Sequence, residues 1–207
     1  MATKLAIMNA ALSRLGPVRL TGLTENRPER IAFDQHYDEV IEEVLESGLW
    51  FFALRTQEWT YDINATDSIN GQYVYNIPSD YVRLRKISPD QAQVSEDLSY
   101  RREGEVILSD HSVLYVTYVS NSASYGLNLA AWPQLFANTV ADHLALRSNL
   151  PITKDRGTTN DLEQKAARSL AKARRVDAVD ERIKLKQPGT WVLSRSQYNR
   201  GQRREST

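Results

Sequence analysis

The side chains most able to do chemistry are few and poorly placed for it. His36, His111 and His143 are the three histidines, and none stands four residues from another in an arrangement such as His-Glu-x-x-His that would hold a metal on one helix face. Each reads by default as a structural or surface residue. There is no cysteine, which excludes thiolate catalysis, Cys-ligated zinc, iron–sulfur clusters and disulfide frameworks. Nine glycines are scattered along the chain. None falls into Gly-x-Gly-x-x-Gly, Gly-x-x-x-x-Gly-Lys or Gly-x-Ser-x-Gly, so no phosphate cradle or nucleophile elbow is signalled and no cofactor is implied. Glu39, Glu42, Glu43 and Glu46 crowd one side of a helical segment. General acid–base work needs a carboxylate pair held apart in a concave site, whereas an acidic helix face ordinarily meets solvent. Nothing here marks an enzyme or a metal site.

Charge and aromaticity are more informative near the C-terminus. Trp191, Arg195, Tyr198, Arg200, Arg203 and Arg204 interleave rings with guanidinium groups, and four arginines against Glu205 give Gln187–Thr207 a net charge of +3. Such a stretch could track a nucleic-acid backbone and stack on its bases. It could equally dock into a groove of another protein, with Trp191 and Tyr198 as anchors and the arginines pairing carboxylates. The whole chain is neutral, with 26 basic and 26 acidic residues. The final quarter from Pro151 carries 14 basic and 7 acidic residues, so the first 150 carry 12 and 19. A negative body joined to a positive end is dipolar, which points to a charged partner rather than to bulk polycation behaviour.

The elements that must position these groups follow from periodicity. Leu5, Met8, Leu12 and Leu15 form a helical stripe that Thr3 caps and Gly16-Pro17 ends. Pro28 suits the first turn of a second helix, whose apolar stripe runs through Phe33, Tyr37, Val40 and Val44 to about Ser47. Leu49–Arg55 is the most apolar heptapeptide and reads as a buried corner. From about Thr56 to Ser120 the period becomes two, with strands predicted at Gln72–Ile77, Tyr81–Ile87, Glu105–Leu108 and Val113–Val119. Helices return from Pro133 to Leu150-Pro151, and again from Asn160, where Glu163 completes a capping-box spacing. The pattern fades after Asp180, and Gln187-Pro188-Gly189 breaks it. Residues 187–207 are expected to form an arm unfolded in isolation. No apolar run approaches the roughly 18 residues of a membrane span. The opening Met1-Ala2-Thr3-Lys4 has no signal-peptide character. A soluble protein made in a cytoplasm, or assembled there into something larger, is expected.

The order of these segments resembles a known family. Asn9-Ala10-Ala11-Leu12-Ser13-Arg14-Leu15-Gly16 leads through Leu23-Thr24-Glu25 to the helix bearing Tyr37 and Val40. Leu49–Arg55 follows, containing Trp-x-Phe-Ala-x-Arg, and then Tyr75–Leu84, containing Tyr-x-x-Pro-x-Asp-Tyr. The strand to Ser120, the alanine-rich helix with Phe136 and Leu144, and Ile152-Thr153-Lys154-Asp155 complete the series. From about Leu5 to Asp180 this resembles the head-to-tail adaptor proteins of short-tailed bacteriophages, the tail tubular protein A-like family.

The resemblance implies a structural virion protein, assembled in the host cytoplasm and placed in the tail neck. Such adaptors form a ring of twelve copies beneath the portal protein, extend the channel for double-stranded DNA and present a platform to the tail nozzle protein. The implied fold is α+β but mainly α. It is an up-and-down helix bundle (1–55 and 121–186) with a small antiparallel β insertion (56–120) and an extended basic C-terminal arm (187–207). In that setting Trp191, Arg195, Tyr198, Arg200, Arg203 and Arg204 are the portal-contact candidates, because the family's C-terminal segments commonly embrace the portal. Glu39, Glu42, Glu43 and Glu46 are the channel-lining candidates, since negative charge would keep DNA phosphates from sticking. The alternative is a nucleic-acid-binding protein that grips phosphates with its basic tail. A tail-assembly chaperone and a phage enzyme with a hidden site are further alternatives. No membrane partner is expected.

Overall fold

The computed structural model describes residues 2–16, 19–65, 71–91 and 98–179. Four helices occupy the two ends of this sequence: α1 Lys4–Leu15, α2 Pro28–Glu46, α3 Gln134–Thr153 and α4 Thr159–Val179. Six strands lie between them: β1 Leu54–Thr60, β2 Tyr73–Asn76, β3 Tyr81–Ser88, β4 Tyr100–Glu103, β5 Val106–Ser109 and β6 Val113–Ser120.

The local signals behave as their chemistry dictates. The Thr3 hydroxyl accepts from the Ala6 N–H at 3.2 Å and caps α1, and Pro28 opens α2. Gly16 closes α1 in extended backbone, at φ 167°, rather than in the left-handed cap its residue type suggests. Pro151, expected to end its helix, sits inside the last turn of α3. The left-handed Lys154 stops the helix instead, at φ 56°, and its N–H donates to the Leu150 carbonyl at 3.1 Å. A proline this close to a helix end costs one backbone bond and leaves the rest of the ladder intact.

α3 is the central helix and packs against α1, α2 and α4. Phe136 anchors this layer: the rings of Trp50 and Trp132 lie 4.8 Å away and that of Phe52 lies 4.7 Å away, each edge-on. The expected buried corner holds Trp50 and Ala53 inside but leaves Leu49 exposed. Trp50 Nε1 donates to the Val44 carbonyl at 2.8 Å, which folds the corner back onto α2. Gly48 makes that possible, because a Cβ there would stand 2.8 Å from the indole.

The helix bundle with a small β insertion is not what forms. The strands make two separate three-stranded antiparallel sheets, ordered β1-β6-β3 and β2-β5-β4. They have a core of their own: Trp59, Ile87, Leu114, Val116 and Tyr118 of the first sheet pack with Tyr75 and Ile107 of the second. The opposite face of the first sheet belongs to the helices, since Val119 joins the helical core. β6 is thus buried on both sides, and the protein stacks helices, sheet and sheet.

The correction has a physical cause. The strands with clear apolar alternation are legible in the sequence, but β1 and β4 carry no such alternation. Trp59 is the one buried side chain of β1, and all four residues of β4 are exposed. Polar edge strands carry little periodic signal, yet they turn an insertion into two sheets. The broken alternation of Tyr81–Ile87 also has a structural counterpart: β3 pairs with β6 through register shifts at Tyr81/Arg83 and Leu84/Lys86. Among the described residues, no helix is long and apolar enough to cross a membrane.

Candidate functional site: a saturated carboxylate and a basic cleft

The four glutamates singled out in the sequence all lie exposed on α2. Glu43 accepts from Arg147 of α3 at 2.8 Å. Exposed at both partners, that pair contributes little to stability. Glu39 lies 3.7 Å from His36 Nδ1. Trp191, Arg195, Tyr198, Arg200, Arg203 and Arg204 lie outside the described residues. The histidines do not converge. His36 sits on α2, the His111 carbonyl accepts from the Tyr75 hydroxyl, and His143 is half-buried on α3. Burial holds the His143 pKa below its ordinary value. Among the described residues no three His, Asp or Glu side chains gather as a metal site would require.

What the structure does bring together is the Asp80 carboxylate with three side chains distant in sequence. Arg55 Nη1 reaches one carboxylate oxygen at 2.7 Å and the Ser120 hydroxyl donates to the same oxygen at 2.6 Å. The Tyr118 hydroxyl donates to the other oxygen at 3.1 Å and lies 3.3 Å from Gln57 Oε1. Burial opposes the carboxylate's charge, but the bonds from Ser120, Arg55 and Tyr118 together outweigh it and hold the Asp80 pKa below its ordinary value. The phenol of Tyr118 moves the other way: burial, with the Asp80 charge beside it, pushes it up to about 12. A carboxylate held in its ionised form by three donors is a poor proton carrier and a good clamp. Arg55 closes the Trp-x-Phe-Ala-x-Arg piece and Asp80 stands in the Tyr-x-x-Pro-x-Asp-Tyr piece. The two pieces therefore meet in an ion pair at the junction of helices and sheet.

A second polar feature differs in kind. Beyond the C-terminal end of α2 a cleft of ≈ 480 Å³ opens between the Ser47–Phe51 corner, β3 and the end of α4. Its charged walls are Arg83, Arg85 and Lys86 from β3 and Arg174 and Asp177 from α4. The Asp177 carboxylate accepts from the Phe51 N–H at 3.2 and 3.3 Å, which ties α4 to the corner. The Arg85 guanidinium lies 4.4 Å over the Phe51 ring, a cation–π stack. Arg83 donates to the Glu46 carbonyl at 2.9 Å, satisfying an end of α2 that carries partial negative charge. Beside the cleft lies a small apolar slot of ≈ 50 Å³ between Pro133, Leu135 and Val176. Val176 is 48% exposed and Leu49, on the cleft's rim, 39%.

Sequence reasoning did not single out this cleft. The available signal was Arg83, Arg85 and Lys86 within one strand of irregular alternation; nothing in the sequence ties them to Arg174. No protein-family model and no curated protein sequence matches the chain.

Proposed function

We propose that this protein is a head-to-tail adaptor: a structural virion component that joins the portal protein to the tail nozzle protein as one subunit of a ring and passes double-stranded DNA without reading it. The observation that carries the reading is the meeting of the two motif pieces at Arg55 and Asp80. Residues that gave the resemblance are used to tie together β1, β6 and the start of β3, and their polar atoms are bonded within the chain. That suits a part whose work is geometric. The exposed carboxylates Glu39, Glu42 and Glu46 suit a channel wall, where they would repel phosphates. Glu43, exposed on the same helix, is paired with Arg147 of α3.

Electron microscopy of the purified protein mixed with portal rings tests the reading. A collar of added density beneath the portal is expected. Portals that stay bare, or assembled particles whose collar lacks this chain, would overturn it. Deleting Gln187–Thr207 is expected to weaken co-sedimentation with portal rings, and full-strength co-sedimentation would remove the arm from the proposal. The positive C-terminal quarter sustains one rival, a nucleic-acid binder. Salt titration separates the two, because phosphate contacts weaken steeply with ionic strength while docking through Trp191 and Tyr198 falls less.

A further inference from the structure

α4 stands at the edge of the helical layer, where it packs chiefly against α3. It turns Leu162, Ala166 and Ala173 inward, and along its exposed side run Lys165, Arg168, Lys172 and Arg175. Steps of three, four and three residues place those four on one flank of the helix. We infer that this flank is a contact surface for the phosphate backbone of double-stranded DNA, one that holds the duplex without reading its sequence. An adaptor need only let DNA pass, so a grip on the duplex goes beyond that role.

Two features carry this. The first is charge that the fold does not balance. Among the described residues none of the four cations is in an ion pair, and Arg168 donates to the neutral Gln164 amide oxygen at 3.2 Å. Asp161 stands one turn before Lys165, and no carboxylate follows on this flank as far as Arg175. Like charges at three- and four-residue spacing weaken a helix slightly. A row of phosphates turns that repulsion into attraction and releases the counterions condensed on the duplex. Glu39, Glu42, Glu43 and Glu46, which would repel phosphates, are on α2 instead.

The second feature is shape. Ala167, Ala171 and Ala178 are exposed beside the cations, so the outer surface of α4 is low and its backbone can come close to a partner. The four cations span about 15 Å of helix. One strand of B-DNA presents a phosphate about every 3.4 Å along its axis, which is about four phosphates over that length. The major groove of B-DNA is wide enough to admit a helix, whereas that of duplex RNA is deep and narrow. An acidic protein is the other polyanion to consider. Protein interfaces draw most of their energy from large anchors set in desolvated pockets, and no exposed aromatic or large aliphatic side chain lies between Lys165 and Arg175. The flank also lacks a free amide to read bases, since that of Gln164 is engaged by Arg168.

Fluorescence anisotropy with the full chain, repeated across a salt series, tests this. The probes are short labelled DNA duplexes of two unrelated sequences, an RNA duplex of the same length and a poly-glutamate peptide. Both DNA duplexes are expected to bind equally, with log K falling against log salt at a slope of about 3 or more in magnitude. Arg168→Gln combined with Lys172→Gln should weaken both at least about tenfold at about 0.1 M salt and lower that slope by about 2. Glutamine keeps the helix propensity of the residues it replaces, and an unchanged circular dichroism spectrum would confirm that the fold is intact. Arg19→Gln, on the connector between α1 and α2, should change nothing. Absence of duplex binding, a slope indifferent to the double variant, or a preference between the two DNA sequences would overturn the inference. Tighter binding of the RNA duplex would also overturn it. Poly-glutamate bound as tightly as DNA, and lost with the same variant, would overturn it in favour of an acidic protein. Binding that survives the α4 variant but is lost with Arg203→Gln and Arg204→Gln would overturn it in favour of the C-terminal arm. Portal plays no part in these measurements, so their failure leaves the adaptor reading standing, and bare portals leave this one standing.

Discussion

Two places that use arginine lie on the same three-stranded sheet and have opposite characters. Around Asp80, one carboxylate meets Arg55, Ser120 and Tyr118, charge balances, and Ser120 is wholly buried. In the cleft, the described charged lining residues are Arg83, Arg85, Lys86, Arg174 and Asp177, and the apolar Leu49 on its rim stands half-exposed. The comparison separates two uses of the same side chain. Where donors and acceptors balance inside the fold, removing one member leaves buried groups without partners, and stability falls. Where an arginine stands exposed at an open surface, solvent screens its charge and takes over its hydrogen bonds when it is replaced, so the fold feels the loss little.

Asp80→Ala is the sharpest way to break that contrast. It would leave Arg55 without its ion-pair partner and the Ser120 hydroxyl without its acceptor. A loss of about 3 kcal/mol is expected by urea unfolding. Ser120→Ala and Tyr118→Phe each leave the carboxylate with other donors and should cost about 1 kcal/mol. A loss below about 1 kcal/mol for Asp80→Ala would show that the junction is incidental to the fold.

Gly48→Ala probes the corner that forms one wall of the cleft and also closes the helical core. The new methyl would stand 2.8 Å from Trp50 Cε2. The ring is held by its bond to Val44 and by Phe136, so it cannot yield freely. Overpacking of this kind costs about 1–3 kcal/mol, measurable by the same unfolding experiment. A neutral result would mean that the corner repacks easily and that the cleft wall is softer than its contacts suggest.

How far these places were legible in the sequence follows from the same physics. Periodic apolar stripes announced all four helices, because burial on one face leaves a mark every three or four residues. Thr3 and Pro28 marked helix starts through backbone chemistry that acts locally. Val113–Ser120 was readable as a strand, since it lies between two layers and is apolar nearly throughout. Tyr100-Arg101-Arg102-Glu103 was not, because an exposed edge strand has no apolar face to display, and with it the second sheet stayed hidden. The Asp80 junction is half visible: both motif pieces stand in the sequence, but their meeting is a matter of tertiary packing. The cleft depends on Arg174 joining a strand that follows a different helix, which no local pattern encodes.

Acid lowers stability through two groups at different pH. His143 of α3 has a depressed pKa because it is half-buried. Glu43 of α2 and Asp142 of its own helix favour its charged form, while Arg147 of its own helix and Arg174 of α4 oppose it. The unfolded chain therefore takes up a proton near the ordinary value of 6.5 before the folded one does, and stability falls as pH drops below that value. Between about pH 7 and pH 5 the decline should be shallower in His143→Gln, read from urea midpoints. Asp80 works lower: its depressed pKa stabilises the fold above the ordinary 3.8, and that contribution disappears as pH falls through the folded value. An unchanged slope in His143→Gln would assign the first decline to another group.

The smallest expected effect carries the most weight for the contrast. Arg174 is exposed at the cleft wall, so its reversal to glutamate should move stability by no more than about 0.5 kcal/mol. Losing its attraction to Asp177 is offset by relief from Arg83, Arg85 and Lys86 across the cleft. The two partners of a stabilising clamp cannot behave this way, as Asp80→Ala is expected to show in the same assay. If Arg174→Glu instead costs as much as breaking the Asp80 junction, the four cations are part of the protein's own electrostatic balance.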